Sequence, residues 1–570
     1  MNFLNTNKET PLKIITLSGT ESVTKNMTLY EYGDDIIIVD CGIGFPDADL
    51  LGVNVVIPDF TYVLENSHKI RGLFVSHGHE DHLGAVPFLL DQLDVPIYTS
   101  KLVQGFLSER LNEKPFKHLA EKARFHIISP DSGPVTLGTS FKVEAFGINH
   151  SVPSSFGLAI KTPQGTALHM QDFKIDWTPV LDKPIDIVKI AGYAKEGVVC
   201  LLSDCLNVTT EGYSKSESSL NDTFFNLFES AVKRQVFVTT ISSNLSRMHQ
   251  LISAAQKHGR RVVISGRSIE QSVNVGRKLG YLPFDNNLFV PEEDASRYLQ
   301  GDLVYIIAGC YGQEGSALSR VARGEHKNID IEKDAMVIFS ADPNPPGVAD
   351  DVEKLMSLLT LAGAEVIYSK IQDNLHVSGH GTRGDLMTIA AIVKPKFFIP
   401  IGGTITRMRA YTNMVGDLGV DKRRVFECME GDVTEFLNGN AKKGTRINTQ
   451  PVYIDADKTN EINPVVIKDR DLLSTDGVFV VVLPMTSTGE LLASKVDVVT
   501  RGFIYVKGSQ ELMDKSRKFI TKEVEKNVEK NVGKNKDWPA LKRKLETEIE
   551  YFLRKETSKA PLVIVHSITV

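Results

Sequence analysis

Cysteine is scarce in this chain. Five of 570 residues, Cys41, Cys200, Cys205, Cys310 and Cys428, are scattered without a CxxC pair. That pattern argues against a disulfide frame and for reduced thiols in a cytoplasmic protein. Also missing is any run of about 18 apolar residues, which argues against a membrane-spanning helix. The opening MNFLNTNKETP lacks the basic and apolar segments of a signal peptide. There is no excess of positive charge either: the net charge is −6. This counts against a surface built wholly to grip nucleic acid, but leaves room for an enzyme whose basic residues line a local channel. The remaining composition, 42% hydrophobic and 24% charged, is that of a globular protein, and the length implies about two to four domains.

What is present is a change of rhythm along the chain. From residue 13 to about 208, β-rich runs alternate with turns, as in DIIIVDCG (35–42), GLFVSHG (72–78), FKVEAFGINH (141–150) and GVVCLLSD (197–204). Helical patterns such as LGAVPFLLDQL (83–93) lie between some of them, predicting layered sheets with helices outside. Over 209–369, helix-like stretches (221–234, 246–259) alternate with buried-strand runs (235–241, 260–266, 335–341, 364–370), the βαβ pattern of a parallel sheet. Strand and helix resume over 370–450 and end in a polar linker, NGNAKKGTRINTQ (438–450). The last part, 451–570, has strand runs at 477–485, 501–508 and 561–570 around a charged helical stretch, 509–556, with Val524, Val528 and Val532 on one helix face.

The densest chemistry lies in LFVSHGHEDHLGAV (73–86). His77, His79, Asp81 and His82 would diverge on one helix but can converge on a turn after a strand. Neutral imidazole and carboxylate are ligands for zinc or manganese, and two such ions sharing a water turn it into a nucleophile. Further donors follow at strand ends, His150 and Asp172, while Asp40 in IIIVDCG is placed to orient a histidine by accepting its N–H.

The string HxHxDH followed by His150 and Asp172 resembles the metallo-β-lactamase superfamily. LLSDCLN with Asp204 and LHVSGHGTRGDL with His376 and His380 resemble the β-CASP nucleases. TKNM (24–27), FPDADLLGVNVVIPD (45–59), SSNLSR (242–247), SGRSIEQ (265–271), ALSRVA (317–322) and VVTRGFIYVKGSQEL (498–512) are similar, in the same order, to bacterial ribonuclease J. The resemblance implies an α/β fold: a metallo-β-lactamase αββα sandwich (1–208 and 370–450), an inserted β-CASP α/β domain (209–369) and a small C-terminal dimerisation-type domain (451–570). It implies two divalent metals, zinc or manganese, with His77, His79 and His150 holding the first and Asp81, His82 and Asp172 serving the second, Asp172 bridging. Asp81, Asp204 and His380 would be catalytic, His380 as general acid or phosphate ligand oriented by Asp204. His376, Val377, Ser378, Gly379 and His380 would cradle phosphate, and Ser243, Asn244, Ser265, Arg267 and Ser268 would contact the RNA backbone or a 5′-monophosphate. The implied activity is 5′-to-3′ exonucleolytic, with endonuclease cuts, on single-stranded RNA in mRNA decay and rRNA maturation. The implied partners are a second copy or a ribonuclease J paralogue and other RNA-decay proteins. Asp47 and Asp49 form an acidic pair that either holds a structural calcium or is a solvated loop.

The sequence departs from that family at site-forming loops. An IPVHG-like string reads IPIGG (399–403), with Gly402 in place of a metal-binding histidine; GDFKFD reads QDFKID, with Gln171 for glycine. A TGSQGEP-like loop reads AGCYGQEGS (308–316), LGGVGEIGKNM reads LSGTESVTKNM, and Ser246 stands where histidine is frequent. The alternative expectation is therefore a divergent second paralogue, a weakly active or non-catalytic subunit that binds RNA and stabilises an active one.

Overall fold

The computed structural model describes residues 9–21, 23–46, 50–342, 348–455, 460–486, 492, 496–504, 509–530 and 538–569. Two mixed sheets form the sandwich. The first has eight strands in the order Asn440–Lys443, Asp432–Leu437, Leu12–Ser18, Met27–Tyr32, Asp35–Val39, Ile70–Val75, Ile97–Thr99, Phe125–Ile127. The second has six, ordered Phe397–Ile401, Val198–Asp204, Gly165–His169, Phe156–Thr162, Phe141–Gly147, Val135–Leu137. Alternation along each strand decides which side a residue serves. Cys200 and Leu202 face the first sheet, packing with Ile37, Val39 and Phe74. Leu201 points the other way, onto Leu386, Ile389, Met408 and Tyr411 of the outer helices Arg383–Val393 and Ile405–Asp417.

Between the strands Val198–Asp204 and Phe397–Ile401, which pair side by side in parallel, the chain leaves the sandwich and builds a third sheet. Its six strands are all parallel, ordered Phe289–Val290, Arg261–Ser265, Leu303–Ile307, Val236–Thr239, Met336–Phe339, Glu365–Ile367. Both faces are covered. Val236, Val238, Val262, Val304 and Ile306 pack against Phe224, Met248 and Leu251 on one side. Phe237, Val263, Tyr305 and Ile307 pack against Leu318, Val352 and Leu355 on the other. This double burial is why those strands read as continuous apolar runs. The central strand, Leu303–Ile307, is one that the sequence rhythm did not single out.

Sandwich and insert form one compact unit, residues 1–45 with 55–452. The second unit comprises 46–54 with 453–570. In it, Val478–Met485 is flanked by Asp497–Arg501, antiparallel, and Leu562–Thr569, parallel. Phe479, Val481 and Leu483 pack against Ile520, Val524, Leu545 and Ile549 of the helices Gln510–Lys530 and Trp538–Thr557. Val524 thus faces the core as its spacing predicts, while Val532 and the side chain of Val528 lie outside the described residues.

Two expectations are corrected. The polar stretch 438–450 is not all linker: Asp432–Leu437 and Asn440–Lys443 form a hairpin, turned by Asn438 (φ 50°) and Gly439 (φ 77°). The Asn-Gly pair is the favoured chemistry for such a turn. Of the strand expected at 501–508, Arg501 ends the strand Asp497–Arg501 and 502–504 are not strand, while 505–508 lie outside the described residues.

Charged pairs are buried where the insert joins the sandwich. Arg247 Nε donates to Glu217 Oε1 at 2.7 Å, with side chains 0% and 6% exposed. Lys174 and Asp176, each 1% exposed, pair at 3.3 Å. Glu217→Ala leaves a buried, unpaired guanidinium, and is expected to cost about 3–5 kcal/mol. A drop in the urea midpoint of apo protein, with little change in slope, is the measurement that checks it.

Candidate metal centre

The strand Ile70–Val75 ends at a turn that carries Ser76, His77 and His79 into the helix Glu80–Leu83 with Asp81 and His82. The turn is held from behind by Asp40, which follows the strand Asp35–Val39 in the left-handed region (φ 63°). Its carboxylate accepts from Ser76 N at 2.8 Å, Ser76 Oγ at 3.0 Å and His82 Nδ1 at 2.7 Å. Sequence reasoning placed Asp40 behind the histidines, and this is the contact it makes.

These bonds fix the tautomers. A carboxylate only accepts, so His82 Nδ1 carries a proton and Nε2 does not when the ring is neutral. Ser76 has given its one hydrogen to Asp40, so at 2.9 Å it accepts from His77 Nδ1. The Gly379 carbonyl accepts from His150 Nδ1 at 2.8 Å. In His77 and His150 the remaining lone pair, on Nε2, faces inward. His82 Nε2 meets the Asp172 carboxylate. Although burial opposes it, Asp172, Asp81 and Asp40 raise this ring well above the usual histidine range, so an ion held there would displace a proton. His77 Nε2 is buried and has no hydrogen-bond partner. His150 Nε2 lies 3.0 Å from His79 Nδ1, whose other nitrogen meets Ser151 Oγ at 3.2 Å.

Asp172 completes the cluster. Its Oδ2 is 3.1 Å from His82 Nε2, 3.9 Å from His77 Nε2 and 4.0 Å from His380 Nε2. Three donor groups result, His77 with His79 and His150, His77 with His82 and Asp172, and His150 with Asp172 and His380, each with ligand atoms within 4.8 Å of one another. An orphaned, buried imidazole nitrogen and lone pairs converging on one carboxylate fit a divalent cation. Burial, aided by the neighbouring rings, holds His77 and His150 far below the usual histidine range and His79 down at about 3, so they are neutral, as metal ligation requires. Asp81 Oδ2 is 3.5 Å from His82 Nε2, and burial pushes its carboxyl up to about 6. Asp40→Asn keeps the shape but places an amide hydrogen against an N–H or O–H donor. Metal affinity is expected to fall about 10- to 100-fold, read by competition with a chromogenic chelator.

His380 stands opposite, its Nδ1 2.7 Å from Asp204 Oδ2. Burial opposes its protonation, but Asp204 and Asp172 outweigh burial and raise it to about 9. A histidine raised in the folded state stabilises it fully below the unfolded pKa of about 6.5, and loses that contribution as pH climbs through about 9. Chelated protein is therefore expected to lose stability across pH 6.5–9, by at most a few kcal/mol, and His380→Gln to flatten that slope in chemical denaturation.

The loop bearing His380 is anchored at both ends. At its root, the Leu375 carbonyl accepts from Ser340 Oγ at 2.8 Å and from Arg247 Nη1 at 3.4 Å, both on the insert. At its tip, Ser378 Oγ accepts from Asn207 Nδ2 at 2.9 Å, Gly379 holds His150, and Gly381 N donates to the Phe173 carbonyl at 2.6 Å. A Cβ on Gly379 would fall 2.7 Å from His150 Cε1, so glycine is required there for close approach. Val377 is 6% exposed and packed in the apolar core of the insert; its side chain is structural and cannot cradle phosphate. His376 is pushed down to about 3 by burial, then by Arg247 and Lys174, and its Nδ1 has no partner.

The five expected RNA contacts lie at the carboxyl ends of the parallel strands, where open α/β sheets take ligands. Asn244 caps the helix Leu245–Lys257, accepting from Arg247 N at 2.9 Å, so its carboxamide oxygen is already engaged. The Ser243 carbonyl accepts from Leu245 N. Ser265 Oγ is buried without a partner, and Arg267 and Ser268 are exposed at the start of the helix Arg267–Lys278. Asp47 and Asp49, the calcium candidates, lie outside the described residues.

Sequence reasoning missed two neighbours of the cluster. Asn26 Nδ2 donates to the Asp81 carbonyl at 3.2 Å and lies 3.1 Å from His82 Nε2; the string TKNM held it, without a chemical signal of its own. Tyr311, in the altered loop 308–316, is close enough to Asp81 that the carboxylate adds to the effect of burial in raising its phenol. Gln171 occupies the left-handed region at φ 61°, which is the reason glycine suits that position. Gly402 has φ +67°, and a Cβ there would lie 3.4 Å from Asp172 Oδ1 and 3.5 Å from Asp204 Oδ1.

Comparison with known proteins agrees with this geometry. The metallo-beta-lactamase superfamily matches residues 23–163, the ribonuclease J beta-CASP domain 233–359 and the ribonuclease J C-terminal domain 465–570. The chain is 33% identical over 557 residues to ribonuclease J2 of Bacillus subtilis (strain 168), covering 97% of this chain and 98% of that one. It belongs to the ribonuclease J family. Ribonuclease J 1 of Streptococcus pyogenes serotype M3 is 32% identical, covering 98% of this chain and 97% of that one. Ribonuclease J of Synechocystis sp. is 34% identical, covering 97% and 86%. Relatives with both paralogue names thus match about equally. A crystal structure of a protein of unknown function from Enterococcus faecalis V583 shares the fold, with a TM-score of 0.52, 15% identity, and coverage of 75% of this chain and all of that one. This ribonuclease J chain is a metal-binding, RNA-binding hydrolase of the nuclease class, and among its described residues no helix is long and apolar enough to cross a membrane.

Proposed function

We propose that this chain degrades single-stranded RNA 5′-to-3′ from a monophosphorylated end, with internal cuts as a second mode, using two zinc or manganese ions. Its setting is mRNA decay and rRNA maturation in the cytoplasm, as a homodimer or in a hetero-oligomer with a paralogue and other RNA-decay proteins. The observation that carries the reading is the convergence of His77, His82 and His150 with Asp172, with His79 beside His150 and His380 facing them. His77, His79 and His150 would hold one ion; Asp81 and His82 would hold the other, with Asp172 shared. The bound ions would supply an activated water and neutralise phosphoryl charge. The chain's own groups do the rest. Asp40 and Ser76 keep the ligand rings in register. Asp204 holds the proton on His380 Nδ1, so that Nε2, when protonated, can give its proton to the leaving ribose oxygen. The unpartnered Ser265 Oγ and His376 Nδ1, with exposed Arg267 and Ser268, supply polar groups for a terminal phosphate.

Gly402 favours a second reading. A histidine there would enter the cluster, and without it the second ion has fewer protein ligands, as suits a weakly active subunit that stabilises an active paralogue. Metal content per chain, measured on protein purified without chelator alongside decay of 5′-monophosphorylated RNA in manganese, tests both. Two ions and directional decay support the first reading. One ion or none, little decay, and a stoichiometric paralogue in a pull-down support the second.

A further inference from the structure

Trp177 carries a large apolar ring that is 63% exposed, whereas tryptophan is as a rule highly buried. Its neighbours in sequence are fixed. Asp176 accepts from Thr178 N at 3.0 Å, Ser216 Oγ at 2.6 Å and Glu217 N at 2.9 Å, and pairs with Lys174 at 3.3 Å. Thr178 Oγ1 donates to Ser216 Oγ at 2.7 Å. The indole is therefore held out on a backbone pinned on both sides. A group ordered before binding loses little entropy when a ligand covers it.

The position of this ring limits what it can meet. Trp177 lies five residues after Asp172, so its Cα is within about 18 Å of the Asp172 Cα even for fully extended chain. The groups fixed beside it are polar: Ser216 and Ser218 are bonded to Thr178. Tyr213, on the same connector, is 69% exposed. Exposed aromatic rings beside hydroxyls suit the faces of unpaired bases, which stack on aromatic side chains without regard to sequence. A protein partner would call for a contiguous apolar patch.

We propose that Trp177 is a stacking platform for a base of single-stranded RNA, a subsite adjoining the metal centre. It rests on the reading of the chain as acting on RNA, and the test separates the two. The chain has two tryptophans, Trp177 and Trp538, so in full-length Trp538→Phe protein the emission comes from Trp177 alone. Nuclease-resistant, 5′-phosphorylated oligoadenylate carrying a fluorescein is titrated in, following tryptophan emission and fluorescein anisotropy together. The expected result is quenching of Trp177 that saturates with the anisotropy. Trp177→Ala is expected to weaken binding about 5- to 150-fold, and Trp177→Phe to keep most of it, with the thermal midpoint showing that both variants are folded. Saturating anisotropy with unchanged Trp177 emission, or an alanine variant that binds as tightly as the parent, overturns the subsite and leaves RNA binding standing. No rise in anisotropy overturns the RNA reading itself, and the subsite with it.

Discussion

Asp172→Asn protein is expected to hold less than one divalent ion per chain and to degrade RNA about 10³-fold more slowly or worse, the scale set by several kcal/mol of charge stabilisation from bound metal. Asp172 belongs to two of the three donor groups, with His77 and His82 and with His150 and His380. Its carboxylate is also held ionised: burial opposes the charge, but His82 and His380 overcome that and keep the group well below the usual carboxylate range. Asparagine preserves the shape and removes the negative charge at the centre of the histidines. Metal analysis after gel filtration, with decay of a 5′-monophosphorylated RNA, checks it. Retention of two ions and the parent rate would show that the carboxylate is peripheral.

The second large effect runs the other way. Gly402→His is expected to tighten binding of the weaker ion by at least about 10- to 100-fold, no less than outer-shell partners contribute. There is room for a Cβ, since among the described residues, its chain neighbours aside, the only groups within 4 Å of one are the Asp172 and Asp204 carboxylates. The backbone at φ +67° sets a penalty of roughly 1–2 kcal/mol for a side chain, and histidine is among the residues found in that region more often than most. Gly402→Ala isolates that penalty, because it strains the backbone without offering a ligand. Titration of manganese into apo protein, followed by electron paramagnetic resonance, compares the three chains. If histidine binds no better than alanine, the missing ligand is not what limits the second ion.

Much of this was legible from the chain, and the reasons are local. HxHxDH is a signal because its four side chains would diverge on one helix but can converge on a turn after a strand, and the structure supplies that turn after Ile70–Val75. Doubly buried parallel strands such as Val236–Thr239 read as apolar runs because both faces are covered. Asp40 could be placed because it ends a strand beside the motif. What escaped notice depends on contacts remote in sequence. Asn26 reaches Asp81 across 55 residues, and Tyr311, in the turn after Leu303–Ile307, feels its charge; neither has a pattern that spacing could reveal. Val377, set among polar neighbours in the motif HVSGH, has its side chain in the core of the insert, which leaves only its backbone to face a ligand. The Asn438-Gly439 turn was visible in the letters, yet polarity around it reads equally as a linker.

The loop from Leu375 to Gly381 has its root on the insert, through Ser340 and Arg247, and its tip on His150, Asp204 and Phe173. It is thus a lever with one arm in each sheet system. A displacement of the insert would be delivered to the His150 imidazole within a few residues. Binding at either end then carries a free-energy coupling to the other, and thermodynamic reciprocity makes it the same in both directions. An ion that tightens the grip on RNA must itself be held more tightly while RNA is bound, so release of RNA would loosen such an ion.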